Sequence, residues 1–122
     1  MMERPYTNLA VWQNTIQFVK IIYAVTSTFA PEEKEGLARK LRNQVTDIPV
    51  LLASGISNGI QPGSQDYILK AAAAMQEIET LLLVCVQLGI LQQKEFSQYE
   101  DDMLKINQEL HHLANRIEKK FK

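Results

Sequence analysis

The sequence predicts an all-α chain folded as an antiparallel up-down-up-down four-helix bundle, on three observations. Apolar residues recur at steps of three and four almost throughout. Sustained apolar–polar alternation, the mark of a half-buried strand, is missing. Breaks around Pro31, between Gly55 and Gly63, and at Gly89 leave four helices of about 20 to 27 residues with short connections.

The first helix should begin at Thr7 or Asn8, either of which can cap backbone amides, and end near Thr28. It carries two stripes of three-and-four spacing. Leu9, Trp12, Ile16, Val19, Tyr23 and Thr26 form the first, read as facing a partner helix. The second is Val11, Thr15, Phe18, Ile22, Val25 and Phe29. A helix packed on one side needs only one such band, so either this helix is deeply buried or subunits associate; on the second reading, the one adopted, Val11, Phe18, Ile22, Val25 and Phe29 are expected to form an interface between subunits.

Pro31 suits the first position of a helix, and Glu32 and Glu33 complement its positive end, so the second helix should open there. Leu37, Leu41, Val45, Ile48 and Leu52 supply its inner face, with Glu35 and Arg39 placed to pair outside. Pro49 predicts a kink, or an end at Ile48 with a short continuation; the kink is preferred. Residues 55–63 read as a loop, after which Ser64 can start the third helix. Its seam is expected to be Tyr67, Ala71, Ala74, Ile78, Leu81, Cys85 and Leu88, and residues 81–86, apolar on every side, should be covered all round. Gly89 can end this helix in a left-handed cap. The last helix should open at Gln92 or Gln93 and run to about Lys120 on the stripe Phe96, Tyr99, Met103, Ile106, Leu110, Leu113 and Ile117. Its acidic start and basic end oppose the helix dipole.

With 122 residues the chain is the length of a single domain, residues 1–122. Hydrophobic residues at 46% and charged residues at 22% argue against disorder. Thirteen basic against 14 acidic side chains give a net charge of -1, which lowers the expectation of a phosphate-binding domain. A single cysteine, Cys85, forms no internal disulfide and points to a cytoplasmic location. Residues 1–5 have no secretory pattern, and the apolar run over residues 81–91 falls short of the roughly 20 residues a membrane span needs.

Candidate chemistry is sparse. His111 and His112 are adjacent and point about 100° apart on a helix, so they do not share a metal as residues four apart do. No glutamate is followed three residues later by a histidine, which removes the di-iron bundle motif. Cys85 has no cationic neighbour in sequence and reads as a buried filler. There is no Gly-x-Ser-x-Gly elbow and no phosphate loop with its lysine; neither catalysis nor a cofactor or metal is expected. Glu77 lies on the flank of the third helix, with Thr80 placed to join it. The basic groupings Arg39, Lys40, Arg42 and Arg116, Lys119, Lys120, Lys122 are candidate phosphate contacts, set against the plainer reading of a solvated face and a dipole-matched helix end.

The segment Asn8-Leu9-Ala10-Val11-Trp12-Gln13 with Ile22-Tyr23 and Thr26, then Gly36-Leu37, Lys40-Leu41-Arg42, Asp47-Ile48-Pro49, Ala53 and Gly55, then Glu77-Ile78-Glu79-Thr80 and Leu88-Gly89, resembles a bacterial four-helix-bundle family. That family is named from reading frames inside intervening sequences of large-subunit ribosomal RNA genes, and carries a ribosomal-protein label in places. Asp47, Leu51 and Ser54 stand where its second-helix motif has serine, asparagine and glutamate, and Asn58 or Gly59 where it has arginine. Ala73 and Ala74 replace Gly-Ser. The resemblance implies a ring of identical subunits, typically a homopentamer. It also implies kinship with the accessory bundle proteins of diversity-generating retroelements, which bind a reverse transcriptase and nucleic acid. The expected function is a non-enzymatic homo-oligomeric interaction protein with itself as partner, the alternative being a nucleic-acid-binding accessory protein using a basic face of the ring.

Overall fold

The computed structural model describes residue 4 and residues 6–122. Met1, Met2, Glu3 and Pro5 lie outside the described residues, and with them the reading of this segment as lacking a secretory leader. Four helices carry the described chain: α1 (Ala10–Ser27), α2 (Leu37–Ile56), α3 (Ser64–Gln87) and α4 (Gln93–Lys120). Side-chain bonds fix their directions. Trp12 Nε1, early in α1, donates to the Pro49 carbonyl late in α2 at 3.2 Å, whereas Arg42, early in α2, reaches Thr26 and Tyr23 late in α1. Gln44 on α2 donates to Glu77 on α3, and the Ser64 hydroxyl to the Gly55 carbonyl, so these helices also run antiparallel. Asn14 Nδ2 donates to the Glu109 carboxylate at 2.9 Å, tying α1 to α4. Each helix packs on the next and α4 returns to α1, which puts α1 and α3 at opposite corners. No helix among the described residues is long and apolar enough to cross a membrane.

Local chemistry moves several boundaries. α1 starts at Ala10, later than expected, because the Thr7 hydroxyl and amide both donate to the Arg4 carbonyl in a preceding turn, which leaves Thr7 unavailable as a cap. Pro31–Glu33 forms a separate 3-10 turn, and α2 opens only at Leu37. Gly36, at φ -102° and ψ -106°, lies outside the helical basin and divides the two. α2 continues through Pro49 to Ile56, so Gly55 is helical and buried instead of opening the loop. A Cβ there would stand 2.8 Å from the Tyr67 Cβ, so the glycine permits α2 and α3 to approach closely. Ser64 is the first residue of α3 and closes the loop, its hydroxyl accepting from the Gln61 amide at 2.8 Å while donating to Gly55. Gly89, at φ +76°, ends α3 as expected. Its amide donates to Val86 and the Ile90 amide to Cys85, a Schellman cap.

The core follows the anticipated stripes on α2 and α4: Leu41, Val45, Ile48 and Leu52 meet Phe96, Met103, Ile106, Leu110, Leu113 and Ile117. On α1 the roles of the two stripes are exchanged. Val11, Phe18, Ile22, Val25 and Phe29, expected between subunits, are buried inside this one, Phe18 at 1% and Ile22 at 0% exposure. Thr15 and Thr26 lie among them with hydroxyls turned back to the carbonyls of Trp12 and Ile22. Trp12, Ile16 and Val19 are only half-buried, and Tyr23 is exposed. The seam of α3 is rotated to Ile68, Ala71, Met75, Ile78, Leu82 and Cys85, leaving Tyr67 and Leu88 exposed. Residues 81–86 are therefore not covered all round: Leu83 stays 40% exposed, and Val84 38%.

Candidate interaction surface

The basic residues singled out above do not form one face. Arg39 pairs with Glu35 at 2.8 Å, an exposed i,i+4 bridge of little energetic consequence. Arg42 is engaged inside the subunit: its Nε donates to Thr26 Oγ1 at 2.7 Å, its Nη2 to the Tyr23 carbonyl at 3.3 Å, and its guanidinium lies 4.5 Å from the Tyr23 ring centre. It clamps the start of α2 to the end of α1 and presents no open fork to a phosphate. Lys40 is exposed beside a cleft of about 420 Å³ between α2 and α3, lined also by Gln44, Asp47, Glu77 and Leu81. Arg116 stands next to the first turn of α1, with Lys119 and Lys120 exposed beyond it. Antiparallel packing puts this group and Arg39–Arg42 at opposite ends of the bundle, roughly 30 Å apart along a 20-residue helix.

Groups considered for catalysis or metal binding are scattered. His111 and His112 are both exposed on α4, and among the described residues no three His, Cys, Asp or Glu side chains gather as a metal set. Glu77 accepts from Gln44, but Thr80 does not join it and donates instead to the Gln76 carbonyl at 3.1 Å. Between α3 and α4, Glu79, Glu100 and Asp101 line a cleft of about 300 Å³ over Met75 and Met103, without a histidine or cysteine beside them. Cys85 is fully buried. Burial, and to a lesser degree the Glu33 carboxylate, push its thiol from 9.0 up to about 11. At pH 8 the folded protein should therefore react with an aromatic disulfide reagent about a hundredfold more slowly than the protein unfolded in urea. Equal rates would show that the α3 seam opens readily.

What the surface does offer is apolar area on α1 and α3. Tyr23 at 42% exposure, with half-buried Trp12, Ile16 and Val19, borders α2, where Val50 is 60% exposed next to the Pro49 carbonyl that Trp12 engages. On α3, Leu83 and Val84 lead to Leu88, which is 64% exposed. Charge is scarce on the same helices. Lys20 is the one charged residue of α1, and between Lys70 and Lys94 only Glu77 and Glu79 are charged. α4 displays Lys94, Glu100, Asp101, Lys105, Glu118 and Lys119 to solvent, together with Leu104 at 58% exposure. Sequence spacing identified apolar excess on α1 but chose the wrong stripe, and it missed the bare outside of α3 by assuming that the bundle would cover it.

Among curated proteins, none matches the chain in sequence. The four helices and the sequence that builds them agree with one family model, matched over residues 7–112, and the chain belongs to the 23S rRNA-intervening sequence protein family.

Proposed function

We propose that this protein is a non-enzymatic, self-associating helical module of the cytoplasm, built to form a ring of identical subunits, with five as the number the family resemblance favours. The observation that carries this reading is the outer side of α3, where Leu83, Val84 and Leu88 are exposed on a stretch nearly devoid of charge. Soluble monomers keep such areas small and charged at their edges, and contiguous apolar surface marks a contact site. The described residues gather no metal-binding set, and the one thiol is buried with its pKa raised to about 11. A lone buried thiol suits a reducing compartment.

Nucleic-acid binding has narrower support, in the exposed Arg116, Lys119 and Lys120 at the end of α4, since Arg42 is already occupied within the fold. The decisive measurement for self-association is mass in solution. Light scattering on the eluting protein at tens of micromolar should return a whole multiple of 13.9 kDa, fivefold for the pentamer. A particle of 13.9 kDa at that concentration would overturn the proposal.

A further inference from the structure

We propose that Asn58 is a self-modifying site, at which the side-chain nitrogen leaves as ammonia through an imide formed with the Gly59 nitrogen and a carboxylate is left on the α2–α3 connector. Asn58 is exposed, lies just beyond the end of α2, and is the one asparagine of the chain followed by glycine. Glycine brings no side chain to block the approach of its nitrogen to the neighbouring carboxamide. A Cβ added at Gly59 would meet nothing within 4 Å, so the surroundings do not crowd the reaction either. Gly59 sits at φ +83°, a left-handed conformation that glycine enters and leaves at little cost. Asn14, Asn43, Asn107 and Asn115 instead lie within α1, α2 and α4, where the following amide is bonded into the helix and the backbone is held.

The step balances with water as the only co-reactant. The Gly59 nitrogen gives up its proton and bonds to the side-chain carbonyl carbon of Asn58, the bond from that carbon to Nδ2 breaks, and ammonia departs. Water then opens the ring at either carbonyl. Cleavage at the side-chain carbon leaves an ordinary aspartate, whereas cleavage at the backbone carbon leaves the main chain running through the side chain. What opposes the step in the folded protein is a short turn: the Gly59 amide donates to the Ile56 carbonyl at 3.0 Å, and Gln61 Nε2 donates to the Asn58 carbonyl at 3.2 Å. Two such bonds outside any helix open far more readily than the bundle unfolds. The product changes the local charge. No charged side chain lies between Asp47 and Asp66, and the new carboxylate adds one negative charge to a net of -1. It stands at the end of the bundle that also carries Arg116, Lys119 and Lys120.

The chain supplies its own control in Asn8. It too is exposed, and the amide that follows it, that of Leu9, likewise donates to a carbonyl three residues back, that of Tyr6, at 3.1 Å. The leucine side chain is what sets it apart. Full-length protein held at about 37 °C and about pH 8 in water enriched in oxygen-18, then digested with pepsin in acid and read by peptide mass, should show Asn58 converting at least about tenfold faster than Asn8. The converted peptide should separate into two products by chromatography, one for each direction of ring opening. Oxygen-18 in the new carboxylate dates each conversion to the incubation, because water supplies that oxygen. Asn58→Gln, whose longer side chain would have to close a larger ring, should slow the mass change at this position by about tenfold or more while circular dichroism stays that of the parent. Equal rates at Asn58 and Asn8, or conversion at Asn58 only after unfolding in urea, would overturn the proposal.

Discussion

Replacing Ile22 with glutamate should abolish the folded subunit. Ile22 has no exposed surface and sits mid-α1 between Phe18 and Val25, in the core that α2 and α4 share. A carboxylate there would be buried among apolar side chains, and an unpaired buried ion costs several kcal/mol even after relaxation. Loss of the isoleucine's burial adds about 2 kcal/mol or more. The sum rivals the whole stability of a domain this size, about 5–15 kcal/mol. Far-UV circular dichroism at 25 °C should show most helix lost, and the milder Phe18→Ala should lower stability by about 3–5 kcal/mol in urea titration. A cooperative melt like that of the parent, combined with a smaller assembly, would mean that this stripe faces another subunit after all.

The second large effect is expected at Gly55. A methyl group there approaches the Tyr67 Cβ to 2.8 Å and the Ser64 carbonyl to 3.3 Å. Neither is the far end of a flexible side chain, so the helices themselves must separate. Gly55→Ala gains roughly 0.5–1 kcal/mol of helix propensity and loses more through overpacking. Gly55→Val adds branching at the same point and should cost about 3 kcal/mol, with weakening of the Ser64 bond to the Gly55 carbonyl as a contributing cause. Gly63, whose added Cβ would meet nothing within 4 Å, supplies the control: Gly63→Ala should be close to neutral in the same urea titration. Equal tolerance at both positions would show that α2 and α3 slide apart without penalty.

The bundle itself was legible in the sequence, because helical spacing, Gly89 and the stop at Pro31 are local signals that packing did not override. The α4 stripe is unambiguous since charged residues fill its other side. α1 was harder. Both its stripes are apolar, and periodicity gives directions around a helix without saying which one points inward. One signal could have settled it: Lys20 is two residues from both Phe18 and Ile22, hence nearly opposite them on the helix, so the stripe facing away from the only charge is the buried one. On α3 the run Ala71 to Ala74 offers four equivalent small side chains, and the seam could be drawn through Tyr67 and Leu81 as easily as through Ile68 and Leu82. The late start of α2 depends on the backbone at Gly36, and Thr26's engagement with Arg42 is a long-range contact; spacing along the chain foresees neither.

Trp12 is the single tryptophan, and its indole nitrogen bonds across to the Pro49 carbonyl. Emission from this one ring thus reports on the α1–α2 seam and on the Tyr6 ring, whose centre lies 5.3 Å away. Because the same ring is only half-buried, the chain carries an intrinsic optical probe of its own neighbourhood. Solvent relaxation and quencher access at that ring distinguish a subunit standing alone from one pressed against a companion, without any label being attached.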